Sequence, residues 1–404
     1  MTDASTDSGA CLPLEGVVVI DLSQIYNGPY ATFLLATAGA EVIKIEPPGG
    51  EPLRRRGVVG GAALPFAMLN GCKRSIMLDL KSERGKAALR GLVKDADVLV
   101  ENFAPGAMER LGFGADLLKA LNPRLIYASS SGFGADGPYR DYPAMDLTIQ
   151  AMAGVMSTTG FPDRPPVKAG PALCDFFAGV HLYGAIVTAL YDRERAGRAD
   201  RVEVSMQDAV YASLASSLGM HWGNAGRPDA PPPRTGNRHG GMAESPYNVY
   251  PTSDGWLAII CVGDAHWGKL CAAMGRADAL ADPRFASLKD RVDAMDAVDD
   301  IVSSWTCGHG KQTAFEILMR FGVPCAPVRD LTEVTNDPNM HARGSLQWQN
   351  HPQLGRIVVP HSPLRFAGVP LRPLEPSRVL GADTHAVLAE RLGWNEVELD
   401  AVSR

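Results

Sequence analysis

The chain has 404 residues, a formal net charge of −6 and an isoelectric point near 5.9. This charge argues against a nucleic-acid-binding protein, which usually carries a basic face, and the length suggests two lobes rather than one ordinary domain. A hydrophobic content of 46% and a charged content of 21% are typical of a soluble globular protein. We find no apolar run long enough to span a bilayer and no secretory signal, so we expect a cytoplasmic protein with no membrane partner.

The cysteines and histidines indicate no metal site. The seven cysteines are scattered without a Cys-x-x-Cys pair, and the nine histidines have no metal-binding spacing. We therefore expect free thiols in a reducing compartment and neither a structural nor a catalytic metal.

The first half of the chain alternates strands with helices. Strands are predicted at 16–22, 41–46, 97–101 and 124–129, and helices at 30–38 and 82–94. This alternation predicts an α/β lobe with a parallel, doubly wound sheet. No Gly-x-Gly-x-x-Gly fingerprint follows the first strand and no Walker motif occurs, so NAD or ATP binding is not indicated. Ligands of such sheets bind beyond the carboxyl ends of the strands, which places 25–26, 46–50 and 102–106 at the binding edge.

The second half changes character at a Pro/Gly/Arg-rich stretch, 226–241, which reads as a linker. Before it, an apolar helix carrying Asp146 is predicted at 143–158, an edge strand at 201–206 and a helix at 207–220. After it come strands at 247–250 and 256–262, helices near 266–274, 294–306 and 312–321, strand-like pieces at 355–359 and 364–366, and a helix at 384–392.

The segment 170–194, GPALCDFFAGVHLYGAIVTALYDRE, is a mostly apolar helix with one carboxylate, Asp175, near its start. One interpretation is that Asp175 caps the helix, since Asp is a favoured N-cap residue. The other is that Asp175 is a desolvated nucleophile at the positive end of a helix. Cys174 beside it is interpreted as a small core residue.

Several stretches together resemble one family: LSQIYNGPYATFLLATAGAEVIKIEPPGG, ADVLVENFAPGAMERLGF, SSSGFGADGPY, GPALCDFFAGVHLYGAIVTAL, VEVSMQDAV and FGVPCAPV. The chain resembles a family III CoA-transferase of the CaiB/BaiF kind, which includes formyl-CoA:oxalate CoA-transferases. The resemblance implies a Rossmann-like doubly wound large domain, a smaller α/β domain and an interlocked homodimer. The large domain would comprise 1–225 and a returning segment, 351–404; linkers at 226–245 and 330–350 would flank a small domain at 246–329.

The resemblance also implies a mechanism. The family's nucleophilic aspartate falls on Asp175, which would pass through a mixed anhydride and an aspartyl-CoA thioester while CoA moves from an acyl-CoA to a free carboxylic acid. Gly240 and Gly241 resemble a glycine loop that closes over the site, although the family member acting on oxalate has a longer glycine run. Asp146 aligns with an acidic residue that shapes the site, or it simply begins a helix.

Coenzyme A would be bound at positions carried over from the family. These are Ile25, Tyr26, Leu78, Lys81, Asn102, Phe103 and Arg110. Some relatives have basic or tyrosine side chains where this chain has Pro47, Pro143 and Met145. Arg54–Arg56 are therefore candidates for the missing phosphate-binding charge.

Two alternatives remain open on the sequence. An α-methylacyl-CoA racemase shares the fold but needs a histidine where Met145 stands, and methionine cannot accept a proton. A non-catalytic CoA-binding protein would not need Asp175 at all. No residue of the sequence selects among possible acceptor acids.

Overall fold

The structure is a computed structural model that describes residues 11–400 except 57, 60, 61, 229 and 231; at 58–59 and 62–63 it describes the backbone only. The strands, in chain order, are β1 (Val18–Asp21), β2 (Glu41–Glu46), β3 (Val58–Val59), β4 (Ala62–Ala63), β5 (Lys73–Met77), β6 (Val98–Glu101), β7 (Ile126–Ser131), β8 (Val202–Ser205), β9 (Tyr247–Thr252), β10 (Gly255–Ile260), β11 (Cys325–Pro327), β12 (Leu346–His351) and β13 (Gly355–Pro360).

The α-helices, in the same order, are α1 (Asn27–Thr37), α2 (Leu64–Asn70), α3 (Glu83–Lys94), α4 (Ala107–Leu111), α5 (Ala115–Leu121), α6 (Asp146–Met152), α7 (Val155–Thr158), α8 (Leu173–Ala196), α9 (Met206–Tyr211), α10 (Ala215–Gly223), α11 (Asp264–Met274), α12 (Ala277–Ala281), α13 (Leu288–Asp293), α14 (Met295–Thr306), α15 (Lys311–Arg320), α16 (Leu331–Thr335), α17 (Pro338–Ala342), α18 (Thr384–Leu392) and α19 (Glu396–Asp400).

The chain divides into two compact units. The larger unit takes the residues up to Ile149, Ala172–Val210 and the residues from Asp337 on. The smaller unit takes Gln150–Pro171 and Tyr211–Asn336. The predicted linker 226–245 carries no helix or strand in its described part, whereas the predicted linker 330–350 contains α16, α17 and most of β12.

A six-stranded parallel sheet of order β5-β2-β1-β6-β7-β8 forms the centre of the larger unit. Neighbouring residues of one strand face opposite sides, so the apolar runs of the strands supply two cores. Val19 of β1 packs with α1 and α8 on one face, and Ile20 packs with α3 and α18 on the other. The α/β class with a covered parallel sheet is therefore confirmed, and its carboxyl edge is where a ligand is expected.

The smaller unit has an antiparallel sheet of order β11-β10-β9. Its core joins Leu257 and Ile259 of β10 to Trp267 and Leu270 of α11 and to Val302 of α14. This unit therefore packs helices on an antiparallel sheet around its own hydrophobic core.

Several secondary-structure predictions differ from the structure, among them the following three. β5 was not predicted, because its sequence opens on Lys73 and Arg74; Lys73 is nevertheless buried as the ion-pair partner of Asp21. The predicted helix 143–158 is two helices, α6 and α7, separated at Gly154, whose φ of 92° few other residues adopt. The predicted strand at 364–366 is irregular.

Helix α8 is long and apolar enough to cross a membrane by length and composition alone, with a mean hydropathy of 1.6 and 33% of its apolar window buried. The expectation that no run of the chain meets that criterion is therefore wrong. Core helices of water-soluble proteins also meet it, so the criterion alone does not indicate a membrane. Several large side chains of α8 are exposed, among them Phe177, Val180 and Tyr191, the last 68% exposed.

Candidate active site

A cavity of about 490 Å³ lies in the larger unit at the carboxyl edge of its sheet. The turns after β1 and β6 line it through Gln24, Ile25, Asn27, Asn102, Phe103, Ala104 and Pro105, the end of β7 through Ser130–Gly132, and the loop 140–146 closes another side. Asp175 at the start of α8 also lines it. The structure thus brings together Asp175, Asp146, Ile25, Asn102, Phe103 and Arg110 of the predicted site.

Asp175 is the third residue of α8 and is 9% exposed. The N-cap position belongs to Ala172, whose side chain caps nothing. The interpretation of Asp175 as the helix cap is therefore wrong, because the residue lies three positions beyond the N-cap residue.

Asp146 supplies the cap from a distance in sequence. Its Oδ1 accepts the backbone N–H of Cys174 at 2.9 Å and that of Asp175 at 3.3 Å. Asp146 is also the first residue of α6, as its helix-start interpretation predicts, and it lines the cavity; its role in catalysis remains a prediction. The cap places two carboxylates side by side at one helix start, where the helix dipole partly offsets their repulsion.

Burial and Asp146 together raise the pKa of Asp175 from 3.8 to about 7. Burial is the larger cause, the negative charge of Asp146 adds to it, and Arg56 is the cation that acts in the opposite direction. A carboxyl group with such a pKa is a functional-site candidate, because its carboxylate is more basic and less solvated than an ordinary one.

Cys174 is buried, and burial together with both neighbouring carboxylates raises the pKa of its thiol to about 12. A thiol with this pKa is protonated near neutral pH and is a poor nucleophile. Cys174 is therefore a core residue, as its sequence context predicts.

The turn after β1 is held by buried charged and polar groups. Ile25 has a φ of 66°, a conformation that a β-branched residue rarely adopts. Its backbone N–H donates to Glu51 Oε2 at 2.9 Å, and the buried Lys44 donates to the Ser23 carbonyl at 2.8 Å. Asn102 donates to the Gln24 carbonyl and accepts the Gln24 N–H, both at 2.8 Å. These contacts fix a strained turn at the cavity wall.

Aromatic packing supports the same turn from the side. Tyr26 stacks on Phe176 with ring centroids 5.9 Å apart, and Tyr30 meets Phe176 edge to face at 5.0 Å. Tyr26 does not line the cavity, so its predicted role in CoA binding is not apparent from the cavity itself.

Two guanidinium groups stand at the mouth of the cavity around Gly106. A β-carbon placed on Gly106 would lie 3.1 Å from Arg110 Nη1 and 3.8 Å from Arg140 Nη2. Both arginines line the cavity, and Arg140 pairs only loosely with the exposed Asp141, at 3.7 Å. The sequence analysis missed Arg140; the signal for it was a basic residue directly after the Gly-rich loop 129–139.

Arg54 cannot supply the missing phosphate charge. Its guanidinium donates twice to the buried Glu46, both at 2.6 Å, and lies 3.8 Å over the Phe66 ring. A group engaged in this way is structural, so our hypothesis for Arg54 is not supported by the geometry.

The remaining predicted residues lie elsewhere. Leu78 is buried in the core around Ile76, and Lys81 is exposed; neither lines the cavity. Gly240 and Gly241 belong to the smaller unit, where a β-carbon on Gly240 would lie 3.1 Å from Ser217 Oγ. The roles of these four residues remain predictions.

Known proteins resemble this chain over most of its length. The family model of CoA-transferase family III matches residues 14–384. The chain is 41% identical to an acetyl-CoA:oxalate CoA-transferase of Acetobacter aceti, covering 88% of this chain and 90% of the relative. It is 37% identical to a succinate–glutarate CoA-transferase of Agrobacterium fabrum, covering 94% and 95%. A crystal structure of a CaiB/BaiF family protein from Brucella suis superposes with a TM-score of 0.81 at 34% identity, covering 94% of this chain and 99% of that one. The chain belongs to CoA-transferase family III.

Proposed function

We propose that the enzyme moves CoA from an acyl-CoA to a free carboxylic acid with Asp175 as the nucleophile. A carboxylate oxygen of Asp175 attacks the thioester carbonyl carbon, and the tetrahedral adduct expels CoA thiolate to leave a mixed anhydride. The thiolate then attacks the aspartyl carbonyl, forms an aspartyl-CoA thioester and releases the donor acid. The acceptor carboxylate then attacks the aspartyl-CoA thioester, which gives a second mixed anhydride and frees the CoA thiolate. The thiolate attacks the acceptor's carbonyl carbon in this anhydride, forms the new acyl-CoA and releases the Asp175 carboxylate.

The observation that carries this proposal is a buried carboxyl group at the cavity wall whose pKa is about 7. Nucleophilic strength rises with basicity, so a raised pKa favours attack as long as the group is ionised. We therefore expect transfer to weaken as the pH falls below about 7, because protonated Asp175 cannot attack.

Each tetrahedral adduct carries an oxyanion that needs hydrogen-bond donors. The backbone N–H groups of Cys174 and Asp175 already donate to Asp146, so the first turn of α8 does not supply them. The predicted Gly240–Gly241 loop remains our candidate for this task.

We propose that Arg110 and Arg140 together bind a phosphate group of CoA. Guanidinium groups form forked hydrogen bonds with phosphate oxygens, and two of them at one cavity mouth suit a doubly charged group. Ile25, Asn102 and Phe103 would line the path of the CoA arm; Tyr26, Leu78 and Lys81 stay predicted contacts outside the cavity.

A screen of free acids with acetyl-CoA and succinyl-CoA, read by mass spectrometry of the CoA products, tests the proposed function. We expect at least one acid to gain CoA, and the Asp175→Ala variant to lose transfer by about 10⁴-fold or more while still binding CoA. A variant that transfers CoA at the parent rate would overturn the role of Asp175.

We propose that a second copy of the chain covers the exposed apolar face of α8 in the predicted interlocked homodimer. Phe177, Val180 and Tyr191 are exposed on that face, and a contiguous apolar face of this kind marks an interaction surface. Sedimentation velocity checks this: a dimer that persists on dilution supports it, and a monomer contradicts it. A cytoplasmic location likewise stays our expectation, in keeping with the free thiols of all seven cysteines.

The alternatives are not favoured. Both relatives compared above bear the names of CoA-transferases rather than racemases. Met145 lines the cavity at the position where a racemase needs a proton acceptor, and its thioether cannot serve.

A further inference from the structure

The cavity contains a buried amide whose oxygen has no partner. Asn27, the first residue of α1, is 2% exposed and lines the same cavity as Asp175. Its Nδ2 donates to Ser130 Oγ at 2.8 Å, whereas its Oδ1 is buried without a hydrogen-bond partner. Leaving a buried acceptor unpaired costs about 1–3 kcal/mol, so a native protein rarely does so without a purpose.

The neighbours of Asn27 fix which end of the amide is the oxygen. Ser130 Oγ donates its own hydrogen to the Val204 carbonyl at 3.0 Å and can therefore only accept from Asn27. The amide nitrogen must face Ser130, and the free end is an acceptor. An acceptor cannot stabilise an oxyanion, so the Asn27 side chain is excluded from that role.

Asn27 lies beside the turn of α8 that bears Asp175. A β-carbon on Gly179, one helical turn after Asp175, would come within 2.7 Å of the Asn27 carbonyl oxygen. The absence of a side chain at Gly179 thus lets α1 approach α8 closely, and both Asn27 and Asp175 line the cavity.

We propose that Asn27 Oδ1 accepts a hydrogen bond from a donor group of the bound substrate, and so selects substrates that carry one. This inference rests on the proposed function. Two sources offer the same chemistry: a hydroxyl group on the transferred acid, or an amide N–H of the pantetheine arm of CoA. A site that holds a buried acceptor discriminates strongly against a substrate without the matching donor, because that acceptor then stays unpaired.

The test compares Asn27→Leu, which keeps the approximate size and removes the acceptor, with the parent on the matched acids malate and succinate. If the donor is a hydroxyl group, the parent favours malate in kcat/KM by about 10-fold or more, and Asn27→Leu reduces this preference to about 2-fold or less. If the donor is the pantetheine amide, Asn27→Leu raises the KM for acyl-CoA by about 10-fold with both acids alike.

Two controls keep the test decisive. Asn122→Leu makes the same change at another buried asparagine of the larger unit, one that does not line the cavity, so the malate-to-succinate ratio and the acyl-CoA KM should follow the parent rather than Asn27→Leu. A second measurement needs no variant: in the parent, an acetyl-CoA analogue with the amide nitrogen nearest the sulfur replaced by oxygen should bind about 10-fold more weakly if that amide is the donor.

The inference is overturned if the parent shows neither the hydroxyl preference nor the analogue effect, or if a folded Asn27→Leu keeps both parent values. Failure of the proposed function looks different, since the parent would then transfer CoA to no acid.

Discussion

Two buried aspartates of the larger unit have pKa values that are shifted in opposite directions. Asp21 at the end of β1 and Asp175 at the start of α8 are both almost fully buried. Burial alone would raise both pKa values, yet that of Asp21 falls to about 2 because Lys73 and Lys44 face it and Ser23 and Thr32 donate to it. Asp175 faces the carboxylate of Asp146 instead, and its pKa rises to about 7.

The comparison teaches that charged partners, rather than burial, decide whether the pKa of a buried carboxyl group falls or rises. Lys73 Nζ lies 3.1 Å from Asp21, and Thr32 Oγ1 donates to Asp21 at 2.7 Å. Asp21 thus has every oxygen engaged and holds the sheet edge together. Asp175 has a like charge beside it and an open cavity in front, which suits a group that must form and break bonds.

Removing the charge of Asp21 should give the largest loss of stability. Asp21→Asn leaves Lys73 buried without its counter-ion, and we expect the free energy of unfolding at pH 7 to fall by about 3–5 kcal/mol, as measured by urea denaturation. The folded pKa of Asp21 lies below its unfolded value, so this stability is present above about pH 4 and is lost as the pH falls toward 2. Asp163→Asn, at an exposed aspartate, is the control and should change stability by less than about 0.5 kcal/mol. A loss at Asp21 as small as the control would refute the comparison.

The same substitution at Asp175 should change the free energy of unfolding in the opposite direction. The folded pKa of Asp175 lies above its unfolded value, so ionisation of Asp175 destabilises the folded state increasingly from about pH 4 to pH 7. Asp175→Asn removes this penalty, and we expect it to raise the free energy of unfolding by roughly 4 kcal/mol at pH 8 and by much less at pH 4. Thermal unfolding at both pH values checks the expectation; a destabilised variant at pH 8 would contradict it.

Removing the negative charge of Asp146 should lower the pKa of Asp175. Asp146→Asn keeps an oxygen that can accept the N–H groups of Cys174 and Asp175, but it removes the negative charge that raises the pKa of Asp175. We expect the acidic midpoint of the pH–rate profile to move down by about 1 unit. Asp146→Ala also removes the cap and should in addition cost about 1 kcal/mol of stability. An unchanged midpoint in Asp146→Asn would mean that burial alone sets the pKa.

The smallest effect concerns the cavity mouth. Arg140→Ala should raise the KM for acyl-CoA about 3- to 10-fold with little change in kcat, because phosphate contacts bind the ground state and the transition state alike. Arg124→Ala, at an exposed arginine outside the cavity, is the matched control. If both variants keep the parent KM, Arg140 does not contact CoA.

Much of the fold could be predicted from local sequence. The elements that were missed depend on contacts between residues that lie far apart in the chain. β2 and α18 have the boundaries that apolar periodicity and flanking turns predict. β5 was missed because the pattern of its side chains is hidden by Lys73, whose burial makes sense only with Asp21, more than fifty residues earlier in the chain.

The candidate site divides in the same way. The family and the transferase class were recognisable from motifs, and the same motifs predict Asp175 as the nucleophile. Three features were not predictable from the sequence: the capping of α8 by Asp146, the unpaired oxygen of Asn27, and the approach of Arg110 and Arg140 to Gly106. Each of them depends on residues that meet only in three dimensions. The motif NGP at 27–29 predicted a turn and a helix start but gave no sign that an amide would be buried there.

The central claim is that Asp175 becomes acylated and then carries CoA, and trapping tests it most directly. The enzyme is incubated with acyl-CoA, treated with hydroxylamine and digested, and the peptides are weighed by mass spectrometry. We predict a hydroxamate at Asp175 that appears only with acyl-CoA, because hydroxylamine attacks an aspartyl thioester but not a carboxylate. Steady CoA transfer with an unmodified Asp175, or with the hydroxamate on another residue, would contradict the account.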